Sequence, residues 1–187
     1  MNGEANILSV FNLATAAEIA AGLDWYQRAG NESAKLHKQG AAIVAALSPG
    51  LRWERNIEAA RRVVHGEPLD GLGIRWYDGV RKAQRILAGE SPLTVLRGEK
   101  VSAFWHCLEN PDNRCFVCVD GHAYGIWKGK RIPLDKVPKG FPYHTIAHAY
   151  ICAADRLGII PCQLQAITWC TWRRIHGVEN GGIGHVK

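Results

Sequence analysis

Apolar positions recur along most of this chain with the period of a helix. The segment TAAEIAAGLDWYQRAG opens on Thr15, a favourable N-cap. It carries Glu18 in the capping-box position and is expected to stop at Gly30. A second helix is expected from Asn31, through NESAKLHKQGAAIVAAL, to the breaker Ser48-Pro49-Gly50. In LRWERNIEAARRVVHG, Trp53, Ile57, Ala60 and Val64 share a helical face, and Gly66 closes it. EPLDGLG is a loop. IRWYDGVRKAQRILAG then places Trp76, Val80, Ala83 and Leu87 on one face and closes at Gly89. SPLTVLRGEKVSAFWHCL predicts a short helix, a turn at Arg97-Gly98-Glu99 and a second helix. NPDN breaks the chain before the β-prone run CFVCV, and Asp120 follows at once. A loop rich in Lys, Gly and Pro extends to Pro142. The helices YHTIAHAYICAADRLG and PCQLQAITWCTWRRIHG come next, and the tail VENGGIGHVK is expected to fray. The pattern is all-α, with no repeat, heptad run or low-complexity segment.

Composition narrows the class. The 187 residues are 47% apolar, enough for one compact domain or two small lobes. No run of about twenty apolar residues is present, so no membrane span is expected. The opening MNGEANILSV has neither the basic start nor the long apolar stretch of a signal peptide, which points to the cytoplasm. Six cysteines in apolar segments are then expected to be reduced and buried. Cys115-x-x-Cys118 has no partner pair and is expected to be structural. The net charge of +6 favours a polyanionic partner. The charge is uneven, with basic clusters in three segments: Arg52, Arg55, Arg61 and Arg62; then Arg75, Arg81, Lys82 and Arg85; then Lys128, Lys130, Arg131, Lys136 and Lys139. They form either solvated helix faces or a broken surface that touches phosphates.

Several side chains are candidates for chemistry, and each has a plainer alternative. Asp120 sits in an apolar setting, where a carboxylate is paired, exposed or employed. It also suits the N-cap of a helix over GHAYGIW. Lys100 is a candidate amine or a surface lysine. His122 is a hydrogen-bonding loop residue before it is a base. His144 and His148 stand at i, i+4, a spacing that can ligate zinc. HTIAH, however, lacks the glutamate of the zinc-protease motif, so no metal is expected. Trp25 and Tyr26 either line a pocket or fill the core.

The ordered set AAIVAALSPG, GLGIRWYDGVRKAQRIL, VLRGEKVSAF, VCVDGHAYGIW and IIPCQLQAITW resembles the helix-hairpin-helix (HhH-GPD) DNA glycosylases. VLRGEKVSAF is similar to the family's hairpin with its Gly-x-Lys-Val-Ala pattern. VCVDGHAYGIW is similar to its Val-Asp-x-His run, whose aspartate is catalytic. The resemblance covers roughly residues 36 to 173 and is densest between Gly73 and Trp127. It implies a two-lobed helical fold with the active-site cleft between the lobes. Lobe A would span approximately residues 50–118, and lobe B residues 1–49 plus 119–187. It implies an enzyme that flips a modified or damaged base out of double-stranded DNA and cleaves its N-glycosidic bond.

Such cleavage builds positive charge on the sugar, and one fixed carboxylate can stabilise it. The resemblance gives that role to Asp120. Lys100 becomes either a Schiff-base amine or a phosphate contact. Leu96, Arg97, Gly98, Arg52, Trp53 and His122 are the expected DNA-binding residues. The family's hairpin reads Leu-Pro-Gly-x-Gly, whereas LRGEK is shorter, has a single glycine and adds Glu99. Pro49 replaces the glutamine that fills the space of the flipped base in many members, leaving Arg52 or Trp53 for that task. The iron–sulfur cysteine loop of some members is absent, so no cofactor is expected. The expected protein is a cytoplasmic, monomeric DNA glycosylase. Its compactness suits a specialised role, such as removing modified bases from phage DNA in antiviral defence. The alternatives are a non-catalytic DNA-binding module of the same fold and a helical metal-dependent hydrolase.

Overall fold

A computed structural model describes residues 3–74 and 77–178. Among them the secondary structure is helical throughout, with no β-strand. The expected all-α class therefore holds. No single helix is long and apolar enough to cross a membrane. Trp76 and Arg75, and the tail from residue 179, lie outside the described residues.

Contacts divide the chain into two compact units, one of residues 3–26 with 111–178 and one of residues 27–110. The first holds α1 (Gly3–Phe11), the start of α2 (Ala16–Leu36), α8 (Gly121–Lys128), α9 (Tyr143–Leu157) and α10 (Pro161–Ile175). The second holds the rest of α2, with α3 (Gly40–Leu47), α4 (Trp53–His65), α5 (Tyr77–Leu87), α6 (Pro92–Val95) and α7 (Glu99–Glu109).

Two boundaries differ from expectation. Helix α2 runs through Gly30 and Asn31 to Leu36, and a turn at residues 37–39 leads into α3. Gly30 is buried on the same side as Ala29 and Ser33, and Ser33 Oγ donates to the Ala29 carbonyl. Tertiary burial of this small-residue face overrides the weak stop signal of Gly-Asn. Helix α1 falls in a segment for which no helix was expected. Its Ile7 and Val10 are buried, and it packs against α8, α9 and α10.

The second unit is built around α3, every residue of which is buried. A helix apolar on all sides must be surrounded, and α4, α5 and α7 pack against it. On α5 the buried positions are Gly79, Val80, Ala83 and Ile86, so Ile86 replaces the expected Leu87 in the core. In the first unit α10 is the most buried element, and Tyr150, Ile146, Leu164 and Ile167 fill the interior. The expected capping box of α2 forms: Thr15 N–H donates to Glu18 Oε2 at 2.8 Å, and Glu18 N–H to Thr15 Oγ1 at 3.2 Å.

The β-prone run CFVCV forms no strand: Cys115 lies in a turn and the rest is irregular, with Val117, Cys118 and Val119 buried. Buried backbone outside a ladder needs other partners. Tyr143 supplies two: its hydroxyl donates to the Val117 carbonyl at 3.0 Å and accepts from Val119 N–H at 3.1 Å. One phenol thus fixes the segment that delivers Asp120.

Candidate active site

Asp120 is the N-cap of α8, in extended conformation, with Oδ1 accepting from Ala123 N–H at 2.8 Å. Its Oδ2 accepts from the Trp169 indole Nε1–H, on α10, at 3.0 Å. Two donors on different helices therefore hold the carboxylate in one orientation. Each bond uses one lone pair of its oxygen, and a carboxylate oxygen has two. Asp120 is half-buried, and each of its oxygens keeps a second lone pair beyond these bonds.

Trp169 is itself fixed on both sides. The Arg173 guanidinium lies 4.3 Å from its ring centroid, and the His122 ring meets it edge-on at 5.8 Å. Behind the carboxylate, Tyr150 is fully buried, with its hydroxyl 3.3 Å from Thr168 Oγ1. Burial pushes the Tyr150 phenol well above its usual value. The Thr168 hydroxyl opposes this, and the negative charge of Asp120 adds to it. Tyr150 is therefore a neutral wall at physiological pH. Sequence reasoning missed Trp169, Arg173 and Tyr150 as neighbours of Asp120. Their places on α9 and α10 carry no local signal of it.

The remaining expected site residues fall in the second unit, apart from His122. Arg97, Gly98, Glu99 and Lys100 are exposed where α7 begins, and Gly98 is the N-cap with no side-chain cap bond. Leu96 is 3% exposed, so its side chain belongs to the core and only its backbone faces the turn. Arg52 is the exposed N-cap of α4. Trp53 is 7% exposed and donates from Nε1 to Glu32 Oε2 at 2.9 Å. A ring so buried and bonded does not suit the space of a flipped base. Trp25 and Tyr26 are core as well. They meet edge-on at 4.7 Å, and the Tyr26 hydroxyl donates to Gln165 Oε1.

Among the described residues, no group of three or more His, Cys, Asp or Glu side chains is placed to hold a metal ion. His144 and His148 are exposed on α9, and Cys152 Sγ lies 3.6 Å from His148 Nδ1. Cys115 is exposed and Cys118 buried, so the pair does not share an environment.

The basic segments divide sharply. Arg61 and Arg62 pair with Glu58 at 2.9 and 2.7 Å, and Arg61 also pairs with Glu67 at 2.5 Å. These hydrogen bonds, from Arg61 first and then Arg62, hold the Glu58 carboxyl down to about 2. Arg81 and Lys82 pair with Asp78, and Arg85 with Glu90. These charges are compensated locally and form a solvated helix surface.

What fold and site define is an all-α protein of two units, with one carboxylate clamped between the start of one helix and the flank of another. The chain belongs to a family of unknown function, DUF7178, whose model matches residues 2–176. No curated protein and no solved structure matches it.

Proposed function

We propose that this protein is a DNA glycosylase that takes a modified base from duplex DNA and leaves an abasic site. The two-lobed glycosylase-like fold is part of the same proposal. The observation that carries it is the fixed, half-buried carboxylate of Asp120, with acceptor positions left after its two structural bonds. Cleaving an N-glycosidic bond needs negative charge held where the sugar becomes positive. A carboxylate that need not reorganise stabilises that charge most effectively. Neutral Tyr150 behind it and the rigid Trp169 beside it favour this use. The exposed turn at Arg97 and Gly98 supplies backbone N–H groups at the start of α7, a suitable place for a DNA phosphate. Lys100 acts there as a phosphate contact, and Asp120 activates the water.

A second reading is a DNA-binding module without catalysis. It is favoured by the fact that both Asp120 oxygens already serve the fold. One experiment separates the two. The protein is incubated with duplexes carrying deaminated, alkylated, oxidised and hypermodified bases, and abasic sites are scored after alkali. Base release from at least one duplex, abolished by Asp120→Asn, supports the glycosylase. Binding with no release from any duplex supports the module.

A further inference from the structure

The segment 128–139 joins α8 to α9 and carries Lys128, Lys130, Arg131, Lys136 and Lys139 against the single acid Asp135. Unlike Arg61, Arg62, Arg81, Lys82 and Arg85, these are barely compensated. Asp135 lies 3.8 Å from Lys136, in a fully solvated pair. No ion pair joins Lys130, Arg131 or Lys139 to any described residue, and all three are exposed.

The segment is nevertheless held in place. At its root Asn6 Nδ2 donates to the Trp127 carbonyl at 2.8 Å, and Lys130 N–H donates to the Gly125 carbonyl at 3.0 Å. Lys128 Nζ lies 5.1 Å from the Trp127 ring centroid. At its middle a 3-10 turn, Leu134–Lys136, folds back onto the start of α8. A Cβ on Gly121 would stand 2.7 Å from Leu134 Cδ2 and 3.2 Å from Val137 Cγ2. Leu134 and Val137 thus press on the backbone of the residue next to Asp120. The segment is a basic strap, seated where the carboxylate emerges.

We propose that the strap 128–139 is a phosphate-binding surface for double-stranded DNA, placed by its seat on Gly121 to hold the backbone beside Asp120. It rests on the DNA-directed function proposed above and deepens it. The chemistry is that of uncompensated cations spaced along an exposed, anchored loop. Such a surface gains affinity by releasing counterions from a polyanion, without reading sequence. The compensated arginines of α4 and α5 would gain little, because their carboxylates already occupy them.

The test measures binding of the full chain to an unmodified duplex against salt, by fluorescence anisotropy. One variant changes Lys130, Arg131, Lys136 and Lys139 to Gln. A control of equal charge change takes Arg61, Arg62, Arg81 and Arg85 to Gln. Circular dichroism melts establish that both fold. The strap variant is expected to lower the slope of log affinity against log salt by up to about 3 to 4, and to bind about tenfold or more weakly at low salt. The control is expected to change the slope far less. An unchanged slope in the strap variant overturns the proposal. So does an equal loss in the control, or wild-type binding to phosphatidylserine vesicles but not to duplex. Because an unmodified duplex has no base to release, these results stand apart from the glycosylase assay. Loss of the strap effect and absence of base release are separate failures.

Discussion

Trp169 donates its indole N–H to the carboxylate of Asp120 across 3.0 Å, and so ties the start of α8 to the flank of α10. The same carboxylate caps α8 through its other oxygen. An aspartate accepts both bonds, whereas an asparagine in the same pose presents an NH2 to one of two donors.

That asymmetry sets the behaviour of the pair. Asp120→Asn is expected to cost about 1 to 2 kcal/mol of stability, since one part-buried donor loses its acceptor. Trp169→Phe is expected to cost a similar amount. The double variant should cost less than the sum, because both changes remove one shared bond. Urea unfolding of the four proteins measures this, and strict additivity would show that the two changes do not share the bond. Base release should vanish in Asp120→Asn. In Trp169→Phe it should persist with a lower kcat and little change in KM, as expected of a positioning residue.

Tyr143 supports the same site from behind. Removing its hydroxyl leaves the Val117 carbonyl and the Val119 N–H without this partner in a buried segment. Tyr143→Phe is expected to destabilise by roughly 2 to 4 kcal/mol. A chemical melt within experimental error of wild type would contradict the role given to this phenol.

A side chain on Gly121 is expected to disturb the seat of the strap. Gly121→Ala places a Cβ against Leu134 Cδ2 and Val137 Cγ2. The exposed Leu134 can swing away, so a local shift of the strap is expected, at a cost of about 1 kcal/mol or less. Limited proteolysis reads the shift, with faster cleavage in 128–139 expected in the variant.

Acid should weaken the first unit through Glu18. Burial raises its carboxyl, but hydrogen bonds from Arg174 and Thr15 outweigh that and leave the group below its ordinary value. A folded value below the unfolded one means stability that is present above the unfolded value and lost as pH falls through the folded one. Glu18→Gln keeps the capping-box geometry but not the charge. The melting-temperature gap between wild type and this variant should be full near neutrality and should close as pH falls below about 4. A gap unchanged across that range would exclude the linkage.

Lys100 gives the sharpest mechanistic forecast. With Asp120 activating water, borohydride should trap no protein–DNA adduct, and abasic sites should survive until alkali cleaves them. A trapped adduct that disappears in Lys100→Gln would assign Lys100 the role of attacking amine instead.

Much of this protein was legible one segment at a time. The helical class, the capping box of Thr15 and Glu18, the closure of α4 at Gly66, the turn before α7 and the cap at Asp120 all depend on neighbours within a few residues. Local propensity and hydrogen bonding decide such features, and they are written in sequence order. The sequence also placed a carboxylate after a buried apolar run, which marked Asp120 as a residue to explain.

The tertiary structure decided the rest, because the deciding contacts join residues far apart in the chain. Burial carried α2 through Gly30 and left the β-prone CFVCV outside any strand, pinned by Tyr143. It drew Trp53 into the core and onto Glu32, where the sequence alone had offered it to DNA. It brought Trp169 to Asp120 across forty-nine positions. It also separated basic residues whose charge is answered by neighbouring carboxylates from those of the strap, which composition had counted alike. Charge and hydrophobicity are properties of residues. Whether a charge is compensated, or an aromatic ring is exposed, depends on which surfaces the packed helices leave to water.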